Sequence, residues 1–156
     1  MKGPSGDPMT KITRQKIFEK VYQLDEYLSN LKQLRKEIRS EKEFSADFRF
    51  YGLAERYLQL CCQTIIDISH LVVIEEGIEN PESQKEIFSL ICEKKIISKE
   101  LFLRLNGLAG FRNILVHEYG KIDRKKVYQF LIKRLEDIEV FKQEILGFVK
   151  SSAKNK

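Results

Sequence analysis

Apolar residues recur every three or four positions along almost the whole chain, and no stretch alternates apolar with polar residues as a half-buried strand would. In residues 12–40 the stripe Ile17, Val21, Leu24, Leu28, Leu31, Ile38 marks one face of a long amphipathic helix, with Arg35 interrupting it. Residues 46–75 carry Leu53, Tyr57, Leu60, Ile65, Ile68 and Val72 and are apolar on more than one side. That predicts a central helix, with Ser45 as its N-cap. Glu76-Gly77 reads as its end and Asn80-Pro81 as the turn after it. A short third helix over 84–94 opens on a capping box of Ser83 and Glu86. A fourth follows Ser98 and runs to Val116. A fifth follows Asp123, a good N-cap, and runs to Lys150 on the stripe Val127, Leu131, Leu135, Ile138, Phe141, Ile145, Phe148. Prolines occur only at positions 4, 8 and 81, so nothing breaks these helices. The expected fold class is all-α: an antiparallel helical bundle of about five helices with short connections.

A chain of 156 residues suits one domain with a full core. Residues 12–150 are expected to form it. Residues 1–11 lack the periodic pattern and read as a disordered leader or an expression remnant, and 151–156 as a flexible tail. With 42% hydrophobic and 33% charged residues the composition is globular, not disordered. The apolar runs fall short of a membrane span and no signal-peptide pattern opens the chain, so a cytoplasmic protein is expected. The cysteines Cys61, Cys62 and Cys92 are odd in number, which argues against a disulfide framework and for small buried side chains. Charge is uneven. Residues 1–89 hold 13 Lys and Arg against 15 Asp and Glu; residues 90–156 hold 15 against 8. The basic field therefore belongs to the C-terminal half.

Chemistry concentrates in the fourth helix. Its stripe Leu101, Leu105, Leu108, Arg112, Leu115 places an arginine where an apolar residue is due. A guanidinium there must reach the bundle edge or find a partner, with Asp67 or Glu55 as candidates, because an unpaired buried charge is costly. A neighbouring stripe, Leu103, Gly107, Gly110, Ile114, His117, contains two glycines, each costing about 1 kcal/mol relative to alanine. They make sense if something packs or binds close to that face. Asn113 and His117 are one turn apart, whereas Arg112 and His117 are separated by about 140° on a regular helix. They share a ligand only if the helix ends near His117, as Tyr119-Gly120 suggests. Histidine exchanges a proton near neutral pH, arginine offers a forked donor set to phosphate, asparagine orients either, and tyrosine stacks on a base. This set suits phosphodiester cleavage and needs no metal or cofactor. His70 stands alone on the second helix and reads as structural. His70 and His117 lack the companions of a zinc site.

Arg112, four residues, His117, one residue, Tyr119 resembles the Arg-x4-His-x-Tyr signature of HepT-like toxins in the HEPN superfamily. The likeness extends over Phe111 to Gly120, Ile122-Asp123, the stripe Val127, Leu131, Leu135, Phe141, and Ile65-Ile66-Asp67-Ile68, and spans about residues 12–150. It implies a HEPN-like bundle that forms a homodimer, with two motifs facing each other across a cleft. It implies metal-independent RNA cleavage by Arg112 and His117, with Asn113, Tyr119 and Asp67 in support. It also implies a partner, a minimal nucleotidyltransferase (MNT) antitoxin that transfers AMP to the motif tyrosine, here Tyr119. A bulky anion there would block an RNA cleft and repel phosphate.

Lys121, Arg124, Lys125 and Lys126, right after the motif, are the candidate RNA contacts, with Lys133 and Arg134 beyond them and Lys94, Lys95, Lys99 and Arg104 before. A solvated basic face or a docking site for an acidic partner gives the same pattern. Two other functions compete. One is a non-catalytic module that binds nucleotide or docks a nucleotidyltransferase; the other is a bundle whose motif residues only stabilise a dimer. The chain has no P-loop and lacks the strands and Gly-Ser loop of a nucleotidyltransferase.

Overall fold

The computed structural model describes residues 10–77, 84–117 and 122–154. These are helical and carry no strand. The order is α1 Lys11–Glu37, α2 Glu41–Ala46, α3 Phe48–Glu75, α4 Gln84–Glu93, α5 Lys99–His117, α6 Arg124–Lys133 and α7 Leu135–Lys154. The expected all-α bundle is what forms, with α1 packed along α3 and α7, and α3 also touching α2, α4, α5 and α6.

α3 is central because it is apolar on several sides: Leu58, Cys61, Cys62, Ile65, Ile68 and Val72 are all fully buried. Among the described residues it is the one helix long and apolar enough to cross a membrane, and 56% of that apolar window is buried in the core. Truncating such a side chain costs about 2–5 kcal/mol through lost burial and a cavity. α1 buries Ile17, Val21, Leu24, Leu28 and Leu31 as its stripe predicted, and Leu34 takes the place that Arg35 interrupts. Arg35 turns outward to Glu136 at 3.4 Å. The ends of α1 and α3 are tied together: Thr10 N–H and Thr13 Oγ1 donate to the two oxygens of the buried Glu75 carboxylate at 2.9 and 2.8 Å.

The boundaries correct the sequence reading in several places: Thr10 and Lys11, placed in the leader, cap and open α1, and α7 runs to Lys154, past the expected end at Lys150. α1 stops at Glu37, because Ile38 is extended and Ser40 caps a separate short helix, α2, accepting from Glu43 N–H at 3.1 Å. Ser45 lies inside α2, and Asp47 caps α3 by accepting from Arg49 N–H at 2.9 Å. Leu53 is 47% exposed and Ala54 takes the inward position. The expected fifth helix is two helices, broken at Arg134. There the guanidinium folds back, donating from Nε to Asp137 at 2.6 Å and from Nη2 to the Arg104 carbonyl at 3.1 Å. Ser83 and Asn80-Pro81 lie outside the described residues. Gly77, with φ of +79°, ends α3 as expected. Ser98 caps α5, accepting from Leu101 N–H at 3.1 Å while its own N–H donates to Glu144 at 2.7 Å.

Candidate active site

Arg112 sits on α5 facing α3, half-buried. Its Nη2 donates to Gln63 Oε1 at 2.8 Å, and its Nε is buried without a protein partner among the described residues. Gln63, one turn before Asp67 on α3, donates from Nε2 to Asp67 Oδ1 at 2.9 Å. Asp67 Oδ2 lies 3.6 Å from Lys20 Nζ on α1. The carboxylate expected beside Arg112 is therefore one residue removed. A neutral amide stands between the two charges, so Asp67 orients Gln63 and Lys20 shares its charge. Glu55, the other candidate, lies near Arg124 instead; burial raises its pKa and the Arg124 charge opposes that rise.

The site residue that the sequence pattern did not single out is Gln63. Its signal was present: Gln63 and Asp67 are four apart on one helix, a spacing at which glutamine and aspartate hydrogen-bond. Cys62 also lies close enough to feel the Arg112 charge, but burial pushes its thiol up to about 12, and burial raises Cys61 as well. Both thiols stay protonated at neutral pH and act as core side chains, while Cys92 is half-buried. His70 is exposed on α3.

His117 is the last described residue of α5, and the expected helix end beyond it lies outside the described residues. Only the backbone of Asn113 and His117 is described. Tyr119 and Lys121 lie outside the described residues. The basic run opens α6, whose N-cap Asp123 accepts from Lys125 N–H at 3.1 Å. Lys125 and Lys126 are exposed. Arg124 is also exposed and lays its guanidinium 3.7 Å from the centre of the Tyr51 ring. The two glycines of α5 differ. A Cβ on Gly107 would meet Arg134 Nη2 at 3.4 Å, whereas Gly110 has open space around it. Phe111 stacks on Phe130 of α6 with centroids 4.6 Å apart, which fixes α5 against α6 beside the motif.

The family model described as Ribonuclease HepT-like matches residues 24–145 of the chain. The chain belongs to that family. Among its relatives is the mRNA nuclease HepT of Shewanella oneidensis, 30% identical over 99 residues that cover 64% of this chain and 74% of that one. The tRNA nuclease HepT of Aphanizomenon flos-aquae is 27% identical over 141 residues, 90% of this chain and 95% of that one. A solved structure of a tri-AMPylated Shewanella oneidensis HEPN toxin in complex with MNT antitoxin superposes with a TM-score of 0.76 at 26% identity. That match covers 89% of this HepT-like chain and 99% of the toxin. A toxin–antitoxin structure with AMP-PNP gives 0.73 at 26% identity, covering 88% and 99%.

Proposed function

We propose that this HepT-like chain is a metal-independent endoribonuclease, the toxin of a HEPN/MNT toxin–antitoxin pair in the cytoplasm. The observation that carries the reading is the Arg112–Gln63 hydrogen bond at 2.8 Å. An arginine destined for a structural ion pair would meet a carboxylate. Arg112 meets an amide oxygen, which orients the guanidinium without cancelling its charge. The full positive charge stays available to a phosphate and to the charge that grows on it in the transition state.

In this mechanism His117 takes the proton from a ribose 2′-hydroxyl. The 2′ oxygen attacks the adjacent phosphorus, the bond to the 5′ oxygen breaks, and that oxygen takes a proton from water. The products are a 2′,3′-cyclic phosphate and a 5′-hydroxyl. Arg112 holds the equatorial oxygens, and Asn113 orients the reacting groups. Two copies of the motif face one cleft in a homodimer, and Tyr119 accepts AMP from the nucleotidyltransferase partner. Transfer joins the tyrosine oxygen to the α-phosphorus of ATP and releases pyrophosphate. The relatives named as nucleases and the AMPylated toxin complex support both halves of this reading.

The test is cleavage of cellular RNA by Arg112→Ala and His117→Ala proteins. Each should lose about 10²-fold or more in rate, the usual contribution of a positioned acid–base or oxyanion group, measured on protein shown to be folded at the assay temperature. Retained cleavage in either variant contradicts the proposed roles. Binding of a nucleotidyltransferase without any cleavage by the wild type would favour a non-catalytic module.

A further inference from the structure

The side of α5 that carries Gly107 and Phe111 forms one wall of a cleft of about 280 Å³, and α6 and its end supply the other with Lys126, Gln129, Lys133 and Arg134. Three of the lining side chains are cationic and none is acidic. The acid nearest this chemistry, Asp137, is buried behind Arg134 and already accepts from Arg104 at 2.7 Å as well as from Arg134. Arg104 also pairs with Glu100 at 3.5 Å, so the two guanidiniums and two carboxylates balance and the net positive charge of the cleft comes from Lys126 and Lys133. Lys126 and Lys133 have no ion-pair partner among the described residues and are exposed.

Arg134 is fixed before any ligand arrives. Asp137 holds its Nε and the Arg104 carbonyl holds one Nη2 hydrogen, while its guanidinium carbon stands 5.4 Å from the centre of the Phe130 ring. A Cβ on Gly107 would come only to contact distance of Nη2, at 3.4 Å, so the glycine leaves this wall of the cleft open. A rigid cation flanked by two mobile lysines in a narrow cleft is an arrangement suited to an oxyanion such as phosphate.

We propose that this α5–α6 cleft is an anion subsite that holds a backbone phosphate of single-stranded RNA beside the Arg112 and His117 site. The proposal rests on the nuclease reading for its choice of RNA. On a regular helix Gly107 and His117 lie about 80° apart around the axis, and the cleft residues of α5 stand about 9–15 Å from His117 along it. One strand of a few nucleotides therefore spans both. The subsite touches no base, so it adds affinity and register without sequence preference.

Binding of a fluorescent 2′-O-methyl oligonucleotide, which the proposed chemistry cannot cut, tests this by anisotropy across a salt series. Lys126→Ala/Lys133→Ala should weaken binding roughly tenfold and reduce the salt slope by about 0.7 for each phosphate left without its lysine. Lys11→Ala/Lys16→Ala on α1 removes the same charge elsewhere and should change neither quantity comparably. Gly107→Leu fills the cleft without altering charge and should also weaken binding. Equal losses in the two lysine pairs, or no loss in the first, overturns the subsite. Cleavage of natural RNA by the same proteins separates the two claims. A wild type that binds through this cleft yet does not cut leaves the subsite standing and removes the nuclease reading. A wild type that cuts while the variants bind unchanged does the reverse.

Discussion

Arg112 gains its meaning from the residue it touches. With Gln63 replaced by glutamate, a carboxylate would face the guanidinium directly and neutralise the charge that the proposed mechanism offers to phosphate. Gln63→Glu should therefore fold normally and lose cleavage by about tenfold or more, read as kcat/KM on a short RNA, since a tenfold loss corresponds to only about 1.4 kcal/mol of transition-state stabilisation. Gln63→Leu removes the bridge altogether. It leaves the Arg112 Nη2 and one Asp67 oxygen without their hydrogen bonds, at a cost of about 1–3 kcal/mol in chemical denaturation. A glutamate variant as active as the wild type would show that the neutrality of Gln63 is incidental. Arg112 itself was legible in the sequence, because a charge in an apolar stripe asks for a partner. The partner was not, since residues 63 and 112 are brought together only when α5 docks on α3.

Element ends follow local chemistry where the capping residue is close in sequence. Ser98, Asp123 and Gly77 stand where the pattern placed them. The failures have one cause: the apolar spacing continues across a backbone break. Leu131, Leu135 and Ile138 keep their period through Arg134, so the break between α6 and α7 leaves no trace in the stripe, only in an arginine reaching Asp137. The same holds at Asp47, where α2 passes its apolar face on to α3. Two predictions belong here. Asp137→Ala strips a buried acceptor from two arginines and should cost about 2–3 kcal/mol, the usual range for hydrogen bonds to charged groups, measured by urea denaturation. Lys95, just past α4, holds a φ of +60°, a region costly for any residue with a Cβ. Lys95→Gly should raise stability by about 1 kcal/mol, a shift of roughly 2–4 °C in melting temperature. A drop instead would mean that the Lys95 side chain makes a contribution larger than its backbone strain.

At the scale of the whole molecule, a polar seam joins α1 to α7. Lys142 pairs with Glu139 at 2.9 Å and with Asp25, and Lys32 reaches Glu139 at 3.3 Å. The hydrogen bond from Lys142 holds the Glu139 carboxyl below its ordinary pKa, with Lys32 adding to the effect. A depressed carboxylate stabilises the fold above its unfolded pKa, and that support vanishes as the pH falls through the folded value. Wild type should therefore exceed Glu139→Gln in stability at neutral pH, and the gap should close in acid. A gap that widens in acid contradicts this sign. The core packs α5 and α6 against both α3 and α7.

The central claim is that this frame presents a nuclease site that works without a metal ion. The direct measurement is RNA cleavage in excess EDTA by protein whose intact mass shows Tyr119 unmodified, with the new ends identified. The account predicts cleavage that survives chelation and leaves 2′,3′-cyclic phosphate and 5′-hydroxyl ends. Cleavage abolished by EDTA, or none from unmodified protein over a broad set of RNAs, would contradict it.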